Sequence, residues 1–271
     1  MCLILLAHRV HPQFPLIVAA NRDELHGRPA AAADFWPDWP EVLAGRDLEA
    51  HGTWLGVSTS GRFAAVTNFS EEPVEPLPPR SRGDLVSAFL AGTITPEPYL
   101  LDIARHAEAY KGFNLLLSDG VELWYYSNRL PRPQRLEPGT YGLSNHLLDT
   151  DWPRVKRGKS ALAVFEEAEQ DPEMEELLAL LADETAPTAA EIAASGLDPG
   201  HAGRITPCFI RGPVYGTRAS TVLLGRSSGE MQFTEVGFAA QGRRIGRKDF
   251  SFQCTWSETP SPIRGPRAAG V

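Results

Sequence analysis

Cys2 is the residue whose position first suggests chemistry, because it directly follows the initiator methionine. A small residue at this position normally permits removal of Met1, and the new N-terminal cysteine then carries both a thiol and a free α-amine. The pKa of an α-amine is about 8, so the amine can act as the general base for the thiol beside it. Cys2 is therefore predicted to be a nucleophile that supplies its own base. The alternative is that Cys2 is the first small apolar residue of a buried strand.

A second polar cluster, Asn21 to Glu24, closes the apolar run from Leu16 to Ala20. If Cys2 starts one strand and this cluster ends its hairpin partner, the antiparallel return brings the two together at one end of a sheet. Asp23 is then able to hold the amine, and Arg22 to lower the thiol pKa. The alternative is a charged turn at a strand end.

Three further polar residues lie where predicted strands begin or end, namely Asn68, Asn145 and Arg218. Amide side chains donate hydrogen bonds without carrying charge, which suits an oxyanion hole for a tetrahedral intermediate. Each of the three, taken singly, is more typical of an ordinary turn residue.

The common signatures of serine hydrolases, zinc proteases and nucleotide-binding proteins are missing from the sequence. The three cysteines, which include Cys208 and Cys254, cannot all pair and show no metal-binding spacing. Neither a disulfide framework nor a metal site is indicated, and a reducing compartment, the cytoplasm, is expected.

Composition narrows the class of partner. The formal net charge of −8 disfavours binding to nucleic acid or to an anionic membrane. The one short basic run, from Arg243 to Lys248, is predicted to be a solvated face. The apolar stretch from Leu3 to Ala7 has no basic region before it, so neither a signal peptide nor a membrane anchor is predicted. The expected partner is a small molecule, and no oligomeric state is predicted.

The elements that must position these residues are mostly hairpins. Short apolar runs separated by turn residues predict strand pairs, and amphipathic stretches between them predict helices. Strand pairs separated by helical pairs favour two mainly antiparallel sheets covered by helices, an α+β class. The predicted strands are Leu3 to Ala7, Leu16 to Ala20, Thr53 to Ser58, Phe63 to Phe69, Phe113 to Leu117, Glu122 to Tyr126, Tyr141 to Leu143, Cys208 to Ile210, Ala219 to Leu224 and Met231 to Val236.

Helices are predicted from Ser81 as N-cap through Leu90, from Pro98 to Ala109, from Asp151 as N-cap through Phe165, and from Met174 to Leu181. The Ser-Asp-Gly between the fifth and sixth strands predicts a type I′ turn. Two stretches, Glu71 to Pro79 and Asp183 to Gly203, are predicted to be exposed loops.

Several motifs in order carry a family resemblance. They are MCLI from Met1, AANRDE from Ala19, AGRD from Ala44, HGTWLG from His51, VTNF from Val66, GFNLL from Gly112, YGLSNHLLDTDWP from Tyr141 and YGTRASTV from Tyr215. With these motifs the sequence resembles the NRDE family, also called the transport and Golgi organisation 2 family, over nearly its whole length.

That family in turn resembles the cysteine N-terminal nucleophile hydrolases, which implies one four-layer αββα domain over residues 1–271. The resemblance implies that Cys2 is the nucleophile, that Asn145 and Asn68 match the two asparagines of the class, and that Arg218 matches its late arginine. The class places Arg-x-x-Asp after the second strand, whereas this chain has Asn-Arg-Asp-Glu. Arg22 and Asp23 therefore fit those two positions only with a shift.

The candidate residues and the resemblance together lead us to expect one of two functions. The first is hydrolysis of an amide or thioester bond in a small, partly apolar molecule, with no cofactor required. The second is a non-catalytic carrier of haem or of a lipid or acyl-CoA, because the resemblance implies roles in haem trafficking or lipid metabolism. Haem would then be a carried ligand, and the candidate iron ligands are His8, His11, His51 and His146. A third alternative is an interaction scaffold that uses Trp36 and Trp39.

Overall fold

The computed structural model describes residues 2–70, 80–166, 168, 170–196 and 207–254. Within these ranges lie thirteen strands and five α-helices, in this order: β1 (Cys2–His8), β2 (Leu16–Leu25), β3 (Ala30–Phe35), β4 (Val42–Asp47), β5 (Leu55–Ser58), β6 (Phe63–Asn68), α1 (Gly83–Ala91), α2 (Pro96–Ala104), β7 (Phe113–Ser118), β8 (Leu123–Ser127), β9 (Gln134–Leu136), β10 (Gly139–Leu143), α3 (Pro153–Leu162), α4 (Met174–Leu181), α5 (Ala189–Ala194), β11 (Tyr215–Gly225), β12 (Glu230–Ala239) and β13 (Arg243–Gln253).

The chain's first strand lies inside the first sheet, next to its edge strand β10. Its strand order is β10-β1-β2-β11-β12-β13, and every neighbouring pair is antiparallel. The predicted opening hairpin is confirmed as β1 and β2, and Cys2 lies directly opposite Arg22 in its register. The polar cluster Asn21 to Glu24 belongs to β2 itself, because β2 continues to Leu25.

The second sheet has the order β3-β4-β5-β6-β7-β8-β9 and is also antiparallel throughout. The predicted hairpins β5–β6 and β7–β8 are confirmed. The sequence did not indicate β3 and β4, because the alanine-rich segment and the one that contains Gly-Arg-Asp hold only one aromatic residue, Phe35, and one β-branched residue, Val42. The strands β9 and β13 were not indicated either, since both are rich in charged and polar residues.

Alternating side chains on the two sheets build three apolar layers. One face of each sheet contributes to a shared core between them, which contains Ile4, Val18, Phe63 and Leu116. The outer face of the second sheet packs under α1 and α2. The outer face of the first packs under α3 and α4. The order of layers is therefore α, β, β, α, and the predicted four-layer α+β fold is confirmed. One domain over residues 1–271 stays a prediction.

Two of the predicted turns and caps are wrong. In the turn between β7 and β8, Gly120 has a positive φ but Asp119 does not, whereas a type I′ turn needs both. The carboxylate of Asp119 instead accepts hydrogen bonds from the backbone N–H groups of Val121 and Glu122. The N-cap of α3 is Trp152 and not Asp151, because Pro153 occupies the first helical position.

Other boundaries differ as well. Arg82 is the N-cap of α1, while Ser81 Oγ accepts a hydrogen bond from the N–H of Gly83. The second helix begins at Pro96 and ends at Ala104, and a short 3₁₀ turn follows it.

Residues Cys208 to Ile210 do not form the predicted strand, because Ile210 bonds locally to Thr217 and Phe209 bonds to the carbonyl of Asp183. The predicted loop after Asp183 contains α5, and its residues 197–203 lie outside the described residues, as does the predicted loop from Glu71 to Pro79. The basic run lies on the exposed edge strand β13.

Candidate active site

Cys2 is held at both ends of its backbone by the segment that follows β10. Its nitrogen donates a hydrogen bond to Asn145 Oδ1 at 3.1 Å, and its carbonyl accepts one from Ser144 Oγ at 2.9 Å. Ile4 and Leu6 point into the core between the sheets, so the period of two along β1 directs the Cys2 side chain to the same face. The site thus lies between the two sheets, at the end where β1 begins.

The thiol borders a small cavity at this end of the core. The cavity has a volume of ≈ 10 Å³, and its walls include Cys2, Arg22, Trp54 and Thr221. A cavity of this volume has room for about one water molecule. Cys2 itself is partly exposed, whereas Cys208 and Cys254 are buried.

Burial sets the protonation of the three thiols. It raises the pKa of Cys208 and of Cys254, each to about 11. Burial also raises the pKa of Cys2, and the positive N-terminus and Arg22 oppose this shift without overcoming it. The predicted lowering of the Cys2 pKa by an arginine is therefore present as a contribution, but the net direction is upward because desolvation of the thiolate is the larger effect.

Arg22 is anchored by an aromatic ring and a shared carboxylate. Its guanidinium lies 4.2 Å from the ring centroid of Trp54, and its Nη2 lies 3.4 Å from Asp47 Oδ2. Asp47 binds Arg28 more closely, at 2.6 Å. Gly45 makes room for this stack, because a Cβ there would overlap the Trp54 ring. Arg22 therefore places its guanidinium close to Cys2, and among the described residues its one ion pair is the long contact with Asp47.

Glu235 is a buried acid that lies close enough to Arg22 for the two charges to interact. It accepts a hydrogen bond from the N–H of Ala33 at 2.7 Å, and burial raises its pKa although Arg22 and Lys248 oppose the shift.

Asn145 is buried and uses both ends of its amide. Its Oδ1 accepts from Cys2, and its Nδ2 donates to the backbone carbonyl of Asn68 at 2.9 Å. The predicted pair of asparagines is thus brought together at the start of β1, but through a backbone group of Asn68. The Asn68 side chain is exposed and makes no hydrogen bond within the described residues.

Asp23 and Arg22 occupy opposite faces of β2. Arg22 faces the core between the sheets, whereas Asp23 faces the helices, where its Oδ2 lies 2.9 Å from Arg154 Nη2. Its Oδ1 accepts from Thr217 Oγ1 at 2.8 Å. The carboxylate of Asp23 is therefore directed away from the face on which the Cys2 thiol lies.

Arg218 forms a β-bulge in β11, since the register against β2 skips it between Thr217 and Ala219. Its Nη1 donates to the carbonyls of Leu25 and Arg28, at 2.8 and 2.9 Å. Arg218 thus fixes the turn after β2 and lies close enough to Arg22 for the two charges to interact.

The four histidines considered as iron ligands are not gathered in one place. His8 ends β1, which places it roughly 20 Å along the strand from Cys2. Both ring nitrogens of His11 are engaged: Nδ1 accepts from the N–H groups of Gln13 and Phe14, and Nε2 lies 3.3 Å from the carbonyl of Gln170.

His146 lies beside the site and His51 is exposed elsewhere. Thr150 Oγ1 donates to the carbonyl of Leu147, so His146 Nδ1 must be the donor to Thr150 Oγ1 at 3.0 Å. Burial lowers the pKa of His146, and its ring packs on Phe69 at 4.9 Å. Across the described ranges, no group of three or more His, Cys, Asp or Glu residues is placed to hold a metal ion.

Sequence reasoning missed Arg154, Trp54, Asp47 and Glu235. Trp54 and Asp47 lie in motifs already noted, HGTWLG and AGRD, but nothing in those motifs indicates contact with Arg22. Arg154 pairs with a residue 131 positions earlier in the chain, and no local pattern signals such a pair.

The fold and the site define a four-layer α+β protein, in which two antiparallel sheets lie between helix layers and a cysteine opens an inner strand of the first sheet. The chain belongs to the Transport and Golgi organisation 2 family, whose model matches residues 1–240. The family resemblance seen in the sequence is confirmed.

The curated relatives cover most of the chain. It is 41% identical over 256 residues to the Transport and Golgi organization protein 2 homolog of Bos taurus, covering 87% of this chain and 92% of that protein. It is 36% identical over 255 residues to the Homo sapiens homolog, with the same coverage. The Drosophila melanogaster protein is 27% identical over 266 residues, covering 87% and 91%.

Two solved structures are similar to the fold. One is a Caenorhabditis elegans N-acylethanolamine-hydrolyzing acid amidase ortholog, with a TM-score of 0.48 and 10% identity, covering 82% of this chain and 92% of that one. The other is the C2A mutant of conjugated bile acid hydrolase from Clostridium perfringens, with a TM-score of 0.41 and 11% identity, covering 96% and 99%. In the described part of the chain, no helix has the length and apolar character needed to cross a membrane.

Proposed function

We propose that this chain, after removal of Met1, is a cysteine hydrolase that cleaves an amide or thioester bond in a small, partly apolar molecule. The observation that carries the proposal is the setting of Cys2. Its nitrogen is bonded to Asn145 Oδ1 at 3.1 Å, and its thiol borders the cavity next to Arg22. A nitrogen base and a thiol on one residue, both held in place, are what self-activated nucleophilic attack requires.

The nitrogen of Cys2 becomes an α-amine once Met1 is gone. Asn145 Oδ1 then accepts one of its N–H bonds, which orients the amine and leaves its lone pair for the thiol proton. The thiolate attacks the carbonyl carbon, and the carbonyl oxygen becomes an oxyanion. Collapse of this intermediate breaks the bond to the leaving amine or thiol, which takes the proton from the ammonium group. Water then cleaves the acyl–sulfur bond, and a carboxylic acid and the free thiol result.

The two asparagines take different roles in this proposal. Asn145 Nδ2 is already bonded to the Asn68 carbonyl, so Asn145 positions the amine. The exposed side chain of Asn68 supplies an N–H to the oxyanion. Arg22 provides a positive charge for the thiolate, and Arg218 fixes the end of β2 that carries Arg22.

The cavity limits how a substrate reaches the sulfur. With room for about one water, it is too small for an acyl chain. The acyl group is therefore proposed to approach from the partly exposed side of Cys2, while the cavity holds at most a water molecule.

The test is turnover by protein whose intact mass shows loss of Met1. We expect saturable hydrolysis of at least one member of a panel of N-acyl amides and acyl thioesters. Cys2→Ser should abolish it, because serine is the poorer nucleophile. Cys254→Ser is the matched control, since Cys254 is buried and its thiol lies against the backbone of Ser58 and Gly61.

Haem titration of the same samples separates the carrier from the enzyme. Saturable haem binding that survives Cys2→Ser, with no turnover on any acyl substrate, would favour the carrier function and contradict the hydrolase function.

A further inference from the structure

A fully buried ion pair lies on the helix side of β2, the strand that pairs with the start of β1. Arg154 on α3 and Asp23 on β2 have side chains that are both 0% exposed, and their closest atoms, Nη2 and Oδ2, are 2.9 Å apart. The same Nη2 also donates to the carbonyl of Cys208 at 3.0 Å. This pair, called the Asp23–Arg154 pair below, takes no part in the reaction proposed above.

The pair is a costly way to hold a helix on a sheet. Within the described residues, Arg154 Nε and Nη1 have no hydrogen-bond partner although both atoms are buried. Removing a guanidinium from water is expensive, and a buried ion pair often stabilises a protein less than apolar side chains of similar size. Stability alone therefore does not account for an arginine at this position.

The pair reaches Cys2 through the backbone of Asp23. The residue opposite Cys2 in the register is Arg22, and Asp23 follows it. The backbone N–H of Asp23 hydrogen-bonds the Cys2 sulfur and lowers the thiol pKa, whereas the negative charge of the Asp23 carboxylate raises it. The N–H and the carboxylate of Asp23 thus shift the pKa of the Cys2 thiol in opposite directions. Arg154 lies next to the carboxylate, where its positive charge offsets the upward shift.

We propose that Arg154 is a positioning residue of the Cys2 site: it holds the Asp23 carboxylate on the helix side of β2 and compensates its charge, so that a Cys2 thiolate faces the Asp23 N–H without an unbalanced carboxylate nearby. This inference rests on the proposed function in taking Cys2 as the reactive thiol. The titratable groups around Asp23 include Tyr215, whose hydroxyl donates to the Asp23 carbonyl, Arg22 and Cys208.

A double-mutant cycle on Asp23 and Arg154 tests this proposal and needs no substrate. The rate at which iodoacetamide alkylates Cys2 is followed against pH, with peptide mapping to assign the label and intact mass to show that Met1 is absent. Arg154→Met leaves the Asp23 charge uncompensated, so alkylation at pH 7 should slow by about threefold to tenfold, since one unit of pKa changes the thiolate fraction tenfold. Asp23→Asn should speed it, and the double variant should return it to within about twofold of the parent.

A merely structural pair predicts a different pattern. Loosening the packing from either side would expose Cys2 and speed alkylation in both single variants. Opposite signs with restoration in the double variant therefore support the proposal, and changes in the same direction overturn it. If Arg154→Met does not fold, the comparison of Asp23→Asn with the double variant decides, because loss of the arginine there should still slow alkylation.

Arg62 provides the matched control. It is also a buried arginine, stacked on the Phe89 ring at 3.8 Å and bonded to the Phe89 and Ile94 carbonyls on the other sheet. Arg62→Met should leave Cys2 alkylation unchanged. If the cycle gives the expected rates but the protein shows no turnover, the hydrolase function is contradicted and the positioning role of Arg154 is still supported. If the cycle fails in a protein that does turn over substrate, only the role of Arg154 is contradicted.

Discussion

Replacement of Asn145 by alanine tests the contact that holds Cys2 in place. Asn145 is 1% exposed, and its amide bonds the Cys2 nitrogen at 3.1 Å and the Asn68 carbonyl at 2.9 Å. Alanine leaves both backbone groups without a partner. A buried polar group that loses its partner costs about 1–3 kcal/mol. We expect about 2–4 kcal/mol in all, because water can reach the partly exposed side of Cys2.

That loss corresponds to a fall in Tm of about 5–15 °C for a chain of this size. Any turnover should also fall by roughly 10²-fold, because the amine is no longer oriented toward the thiol. Differential scanning calorimetry and the Cys2 alkylation profile measure the two effects.

Asn128→Ala is the control for this experiment. Asn128 accepts from the N–H of Phe113 at 2.9 Å and donates to three carbonyls in the loop before β7. It should lower Tm by a similar amount and leave Cys2 alkylation unchanged. A Tm for Asn145→Ala within about 2 °C of the parent, with a normal alkylation profile, would refute the reasoning.

Three further predictions concern the site and the fold. Alkylation at neutral pH should label Cys2 before the other two cysteines, which are buried with pKa values near 11, and peptide mapping that finds the reverse order would be inconsistent with the site. Gly45→Ala should displace the Trp54 ring from its stack and cost about 1–3 kcal/mol, seen as lower urea resistance together with altered Trp fluorescence. Burial lowers the pKa of His8 from 6.5 to about 4, so the folded state resists its protonation, and stability should fall by roughly 3 kcal/mol as pH drops from about 6.5 to about 4. His8→Leu should flatten that part of the stability profile, and an unchanged profile would count against the assignment.

The pairing of neighbouring strands could be predicted from the sequence, and so could the end of the sheet at which the candidate catalytic residues lie. Apolar runs broken by turn residues predicted β1 with β2 and β7 with β8, because hairpins are local and need no distant partner. The same hairpin logic predicted that Cys2 and the cluster after Ala20 would lie together, and Cys2 does lie opposite Arg22.

The features that could not be predicted from the sequence depend on contacts between residues far apart in the chain. The ion-pair partner of Asp23 is Arg154, 131 positions away, and the acceptor for the Asn145 amide is the distant Asn68 carbonyl. Strands such as β3 and β13 form because a neighbouring strand offers its open edge, so alanine-rich or charged segments pair despite weak intrinsic preference.

The most direct measurement of the central claim is the mass of Cys2 after contact with an acyl substrate. Protein that lacks Met1 is mixed with an N-acyl amide or acyl thioester, quenched in acid, and its intact mass and peptide map are recorded. The proposed mechanism predicts an added acyl group on the Cys2 sulfur that decays on incubation and never forms in Cys2→Ser. Retention of Met1 in active protein, or an acyl group found on Cys208 or Cys254 while Cys2 stays free, would contradict it.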